Sequence, residues 1–89
     1  MLMACVFIPP QMRDLTGGRE RVEVAGATLG QVVAELERGH PGFAARVRAG
    51  DAVAAGLAVS IDGAVTNRGM LAKVNPTSEI HFLPAIGGG

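Results

Sequence analysis

The sequence predicts an α+β domain in which four to five strands form one sheet and a single main helix covers one face. Three observations carry this expectation. One segment has a marked helix start followed by an apolar stripe at helical spacing. Several other segments are continuously apolar or alternate at strand spacing. An Asp-Gly pair between two of them is a strong hairpin turn.

Met3 to Ile8 reads as the first strand. Every position is apolar or small, which suits a central strand with little solvent on either face. Pro9-Pro10 ends it, since proline donates nothing to a ladder. Gln11 to Gly18 reads as a loop, with turn chemistry at Thr16-Gly17-Gly18. Arg19 to Val24 reads as a half-buried strand beside the first. Val22 and Val24 face one way, Arg21 and Glu23 the other.

Thr28 is a good N-cap, and Gln31 three residues on completes a capping box. Leu29, Val32, Val33 and Leu36 then fall on one helical stripe, with Glu35, Glu37 and Arg38 off it. Gly39 is placed as the C-cap, and Pro41 forbids continuation. Phe43 and Val47 form a short helical turn that closes the core, leaving Arg46 and Arg48 solvated.

Ala49 to Gly56 is small and Gly/Ala-rich and reads as a loop. Leu57, Val59 and Ile61 alternate with Ala58 and Ser60 to give a third strand. Asp62-Gly63 turns the chain, and Val65 begins a short return strand. Gly69 to Pro76 is irregular, with Met70, Leu71 and Val74 expected inward. Glu79 to Leu83 is the final strand, which Pro84 is expected to stop.

Composition excludes several function classes. A chain of 89 residues is one small domain and buries only about 60–65% of its unfolded surface. Hydrophobic residues are 48% and charged residues 18%, which is globular composition. There is no Trp or Tyr and only three Phe, so aliphatic side chains fill the core. Lys plus Arg equals Asp plus Glu at eight each, which leaves no electrostatic footprint for nucleic acid. The single cysteine, Cys5, cannot staple the fold internally. The run from Met1 to Ile8 is too short for a membrane span and lacks a basic leader. Leu2-Met3-Ala4-Cys5 has no apolar segment before it and is not read as a lipoprotein box. The expected location is the cytoplasm.

Catalytic constellations are missing. His40 reads as a solvated loop residue beside Pro41. His81 is opposite in phase to Ile80 and Phe82, so it faces the open side of the sheet; without companion ligands it is no metal site. Cys5 has no CxxC partner and no evident base, and reads as a small hydrophobe. Gly26 to Gly30 opens a helix but lacks both the GxGxxG and the Lys-Ser/Thr signature of a phosphate loop. Asp14, Glu20, Glu23, Asp51, Asp62 and Glu79 are scattered and read as solubility residues. The chain does not read as a self-sufficient enzyme.

Two features remain. With Ala4, Val6 and Ile8 set against the helix, Met3, Cys5 and Phe7 point outward. If the first and last strands are neighbours, His81 and Leu83 lie alongside them. Such an exposed apolar patch on a small domain marks a docking surface, for a partner or for a second copy. The other feature is the end of the chain. Gly87, Gly88 and Gly89 have no Cβ and cost entropy to order. A slender carboxylate at Gly89 suits threading into another protein's active site; a frayed end is the plainer alternative.

Ile8-Pro9, Thr16-Gly17-Gly18, Thr28-Leu29-Gly30 with its helix, and Leu83 to Gly89 lie in an order that resembles the ThiS/MoaD family of small sulfur-carrier proteins. The closest look is to its CysO-like cysteine-biosynthesis branch, although Ala49 to Gly56 looks shorter than in those carriers. The resemblance spans nearly the whole chain. It implies the β-grasp (ubiquitin-like) fold, a mixed sheet of four to five strands with one main helix on one face. It implies a β-grasp domain over residues 1–84 and a flexible glycine tail over 85–89.

It also implies a mechanism. An E1-like activating enzyme uses ATP to adenylate the Gly89 carboxylate, which then receives sulfur as a thiocarboxylate. The carrier binds no cofactor itself. Gly87, Gly88 and Gly89 form its tail, and Phe7, Cys5, His81, Leu83, Pro84 and Ile86 are the expected partner-binding residues. In the cysteine branch a PLP-dependent cysteine synthase consumes the sulfur, and a peptidase releases the product. The alternatives are the small subunit of molybdopterin synthase, its tail seated permanently in the synthase large subunit, a thiamine thiazole sulfur carrier, a ubiquitin-like protein modifier joined through Gly89, and an interaction module with an inert tail.

Overall fold

A computed structural model describes residues 3–85. Five strands form one sheet: β1 (Ala4–Phe7), β2 (Arg21–Val24), β5 (Leu57–Ile61), β6 (Ala64–Thr66) and β7 (Glu79–Pro84). Their spatial order is β2-β1-β7-β5-β6. β1 and β7 are parallel and the other pairs antiparallel, so the sheet is mixed. β1 has a neighbour on each side, in keeping with its apolar sequence.

Helix α1 (Leu29–Gly39) crosses one face of this sheet. Its apolar stripe of Leu29, Val32, Val33 and Leu36 is fully buried. The stripe meets Val6, Ile8, Val59, Ile80 and Phe82 from the sheet. Thr28 caps the helix, its Oγ1 accepting the Gln31 N–H at 3.2 Å. The Gln31 side chain reaches back one residue further than a capping box requires, to the Ala27 N–H at 2.8 Å. Short helix α2 (Phe43–Val47) closes the core at one end. There Phe43 meets Phe82 edge-to-face, with ring centroids 5.8 Å apart. Arg46 is solvated beside Asp14, at 3.5 Å, while Arg48 is partly covered.

Several expectations change. Gln11 to Gly18 is not a plain loop: Pro10–Thr16 forms a 3₁₀ helix. Proline suits the first turn of a helix, where its missing N–H is not needed. Met12 anchors that turn in the core, and Gly17 ends it at φ 64°. Gly39 is the last helical residue rather than the cap; His40 takes the cap and donates its N–H to the Leu36 carbonyl. Ala49 to Gly56 contains a two-stranded hairpin, β3 (Arg48–Ala49) with β4 (Ala52–Val53).

Leu71 points outward at 76% exposure, while its neighbours Met70 and Ala72 are buried. A one-turn 3₁₀ helix over Gly69–Leu71 allows only some of its side chains inward. Pro84 does not stop the last strand. It pairs opposite Leu57, and Ala85 continues the pairing by donating its N–H to the Gly56 carbonyl at 2.9 Å. Proline lacks a donor, but the residue beyond it does not.

Candidate functional site

The sheet face away from α1 is the first component of the site. Cross-strand registers place Phe7 opposite Arg21 and beside His81. His81 stands opposite Ser60, and Ser60 opposite Val65. The row Arg21-Phe7-His81-Ser60-Val65 therefore crosses all five strands on one face. Alternation along each strand puts Met3, Cys5, Glu23, Glu79, Ala58 and Leu83 on the same face.

Phe7 and His81 are the centre of this face. Their rings stack with centroids 4.1 Å apart and planes within 6°. The Arg21 guanidinium carbon lies 6.0 Å from the Phe7 centroid, at the outer limit of a cation–π contact. His81 Nε2 is 3.8 Å from a Glu79 carboxylate oxygen. Met3, Leu83 and Val65 are exposed apolar side chains around the stack, at 42%, 39% and 67%. The face is an apolar and aromatic centre with charged residues at one border.

Cys5 lies half-buried on this face, beside Glu23 and Glu79. Burial pushes its thiol pKa up; nearby Arg21 opposes this, and the two carboxylates reinforce it. The sulfur is held protonated, which suits packing and not nucleophilic attack.

The second component is the end of β7. β1 accompanies β7 only as far as His81. Beyond that point Phe82, Leu83 and Pro84 are held by β5 alone. The chain thus leaves the sheet at the rim of the open face, with Pro84 and Ala85 exposed. Of the expected site residues, the structure brings together Phe7, Cys5, His81 and Leu83, with Pro84 at their rim. Ile86, Gly87, Gly88 and Gly89 lie outside the described residues.

Sequence reasoning missed two positioning carboxylates. Asp62 accepts the Ser78 Oγ–H at 2.7 Å and the Glu79 N–H at 2.9 Å. It ties the β5–β6 turn to the start of β7, and those bonds, the Ser78 hydroxyl first, hold its pKa below the ordinary value. Asp62 is thus structural and not merely a solubility residue. Glu37 accepts the N–H groups of Ala44 and Gly42, and both bonds lower its pKa. It caps the start of α2. Neither role could be read from spacing, because the donors lie across turns. Arg21, Ser60 and Val65 also join the open face, and only the strand order brings them there.

Among the described residues, no three His, Cys, Asp or Glu side chains cluster to hold a metal ion. Among the same residues, no helix is long and apolar enough to cross a membrane.

The ThiS family model matches residues 6–89. No curated protein matches the chain in sequence. Among solved structures, the BexX/CysO complex of Amycolatopsis orientalis contains a chain 30% identical to this one, with a TM-score of 0.87 over 97% of this chain and 99% of that chain. CysO of Mycobacterium tuberculosis is 24% identical, with a TM-score of 0.85 over 93% and 99% of the two chains. Small archaeal modifier protein 1 of Methanosarcina acetivorans is 19% identical, with a TM-score of 0.75 over 100% and 98%. The last two likenesses are of fold.

Proposed function

Because the chain belongs to the ThiS family of small ubiquitin-like sulfur carriers, we propose that its Gly89 carboxylate is the group that is activated and loaded with sulfur. The fold is the β-grasp of its structural neighbours, and the protein is a co-substrate carrier rather than an enzyme. The observation that carries the reading is the end of β7. The sheet grips the chain through Ala85, at the rim of an exposed apolar face, four residues short of Gly89.

The chemistry follows from what a carboxylate lacks. Its oxygen is a poor leaving group, so sulfur cannot displace it directly. An activating enzyme lets a Gly89 carboxylate oxygen attack the α-phosphorus of ATP, with loss of pyrophosphate. A sulfur nucleophile then adds to the acyl carbon and AMP departs. With sulfide as that nucleophile, loss of its proton leaves a thiocarboxylate, whose sulfur then attacks an electrophile. The carrier contributes the Gly87-Gly88-Gly89 tail, narrow enough for a confined active site, and the Phe7-His81 face as a grip for the partner. Residues 86–89 act as the tail, and the residues through Ala85, the first of the five expected in the tail, act as its held base. The carrier binds no cofactor in this scheme; ATP belongs to the partner.

The sulfur acceptor we favour belongs to cysteine biosynthesis, with an activated serine derivative at a PLP-dependent cysteine synthase. The 30% identity to a chain of the BexX/CysO complex supports this branch over a pterin or thiazole acceptor. Intact mass of protein purified from its own host tests the first step. The expected result is a gain equal to one carboxylate oxygen replaced by sulfur, localised to Gly89. An unchanged mass after incubation with ATP, sulfide and the host's activating enzyme overturns the reading. Incubating the loaded protein with the synthase and activated serine tests the branch, by a mass gain matching an attached cysteine.

A further inference from the structure

A second surface lies around the free edge of β6. There an open groove of about 620 Å³ runs between β6 and residues 71–73, with Ile61 in its lining. Val65 on one wall is 67% exposed, and Leu71 on the other is 76% exposed. Arg68 and Lys73 also line it. Neither cation takes part in an ion pair among the described residues. Asp62 contributes the groove's one carboxylate, and its oxygens already accept from Ser78 and Glu79.

Leu71 is held outward by its surroundings and is not a frayed side chain. Met70 on one side is buried, and its N–H donates to the Asp51 carbonyl at 2.9 Å. Ala72 on the other side is buried, and its carbonyl accepts the Leu29 N–H at 2.9 Å. Val74 donates to the Ala27 carbonyl at 3.0 Å, so the segment is pinned to the start of α1. A polar side chain at position 71 would meet the same backbone and cost the core nothing. An exposed leucine on a pinned backbone, between two cations, has the composition of a binding anchor: an apolar contact whose backbone is already ordered, bordered by charge.

We propose that this groove binds an extended acidic segment of a partner protein, with an apolar side chain against Leu71 and Val65 and carboxylates at Arg68 and Lys73. Charge complementarity selects this occupant. A basic segment would place like charges against two unneutralised cations, and an uncharged one would leave both unpaired. The edge of β6 offers unpaired backbone groups to an extended chain as well. The groove meets the open face at Val65 but is not lined by Phe7 or His81, so a partner held here leaves their stack free.

The test uses the full-length protein and two short acetylated peptides. One alternates leucine with aspartate and the other leucine with lysine. The expected result is saturable NMR shifts at Val65, Arg68, Leu71 and Lys73 with the aspartate peptide, with a dissociation constant on the order of 100 μM for so small an interface. Leu71→Asp and Arg68→Glu each weaken that binding by about tenfold or more, while the melting temperature holds, since both side chains are exposed. The lysine peptide gives no shifts.

Four outcomes overturn the proposal. They are equal shifts with both peptides, shifts centred on Phe7 and His81, no shift at millimolar aspartate peptide, and Leu71-dependent self-association in sedimentation, which would make a second copy the occupant.

Discussion

Replacing Gly69 by alanine tests how the segment after β6 is seated. Gly69 is buried at φ 59°, in the left-handed region that costs an L-residue about 1–2 kcal/mol. A Cβ there would press into the Asp51 carbonyl oxygen and lie 3.2 Å from the Ala52 Cα. Both are backbone atoms of the β3–β4 hairpin, which cannot swing aside like a side chain. Overpacking of this kind costs about 1–3 kcal/mol. The same Asp51 carbonyl accepts the Met70 N–H at 2.9 Å, and losing that bond adds about 1 kcal/mol.

Together these give about 3–6 kcal/mol, a large share of the roughly 5–15 kcal/mol that holds a domain folded. Gly50→Ala is the matched control: its φ is 61° and nothing lies within 4 Å of the added Cβ. It carries the left-handed cost alone, about 1–2 kcal/mol. With no Trp or Tyr in the chain, far-UV circular dichroism in urea and on heating is the assay. Gly69→Ala should melt at least about 8 °C below Gly50→Ala, from a difference of about 2–4 kcal/mol at about 4–8 °C per kcal/mol for this size. Equal losses in the two variants would refute the close approach as the cause.

Deleting Gly88 and Gly89 should abolish adenylation, followed as pyrophosphate release with the activating enzyme, while the melting temperature stays within about 2 °C. A large drop would mean that the tail contributes to the fold. Phe7→Glu should raise the carrier's KM for that enzyme by about tenfold, because it removes the aromatic centre of the open face. Its stability cost should stay under about 1.5 kcal/mol, since cross-strand Arg21 and neighbouring His81 can receive the new carboxylate. An unchanged KM would remove Phe7 from the docking face.

Acid should destabilise the protein through Glu37 and Asp62, whose pKa values are held below the ordinary carboxylate range. Their contribution is present above the unfolded value of about 4 and is lost as pH falls through the lower folded values. Glu37→Gln with Asp62→Asn should flatten the fall in melting temperature below about pH 4.5; an unaltered slope would assign acid sensitivity elsewhere.

Sequence alone determined the parts of this protein whose causes are local. Thr28 and Gln31 lie within one turn of each other, so the helix start was legible, and its stripe named four core residues that are fully buried. Asp62 and Gly63 adopt φ 53° and 86° in the hairpin, a conformation that aspartate tolerates and that glycine, lacking a Cβ, adopts freely. Alternation along the first and last strands assigned Ala4, Val6, Ile80 and Phe82 inward and Phe7 and His81 outward.

Tertiary structure decided what depends on partners distant in the chain. Alternation says which face a side chain takes, not which strand lies beside it. Phe7 and His81 stack only because β7 inserts parallel to β1, and Val65 joins them only through β5. Leu71 faces outward because its two neighbours took the space against α1. Glu37 and Asp62 became caps because turns brought amide donors to them. Pro84 stayed in the ladder because Gly56, far back in sequence, offered a carbonyl to the residue after it. Backbone propensity and side-chain period act over a few residues, whereas strand order, burial and hydrogen-bond partners are settled when the whole core closes.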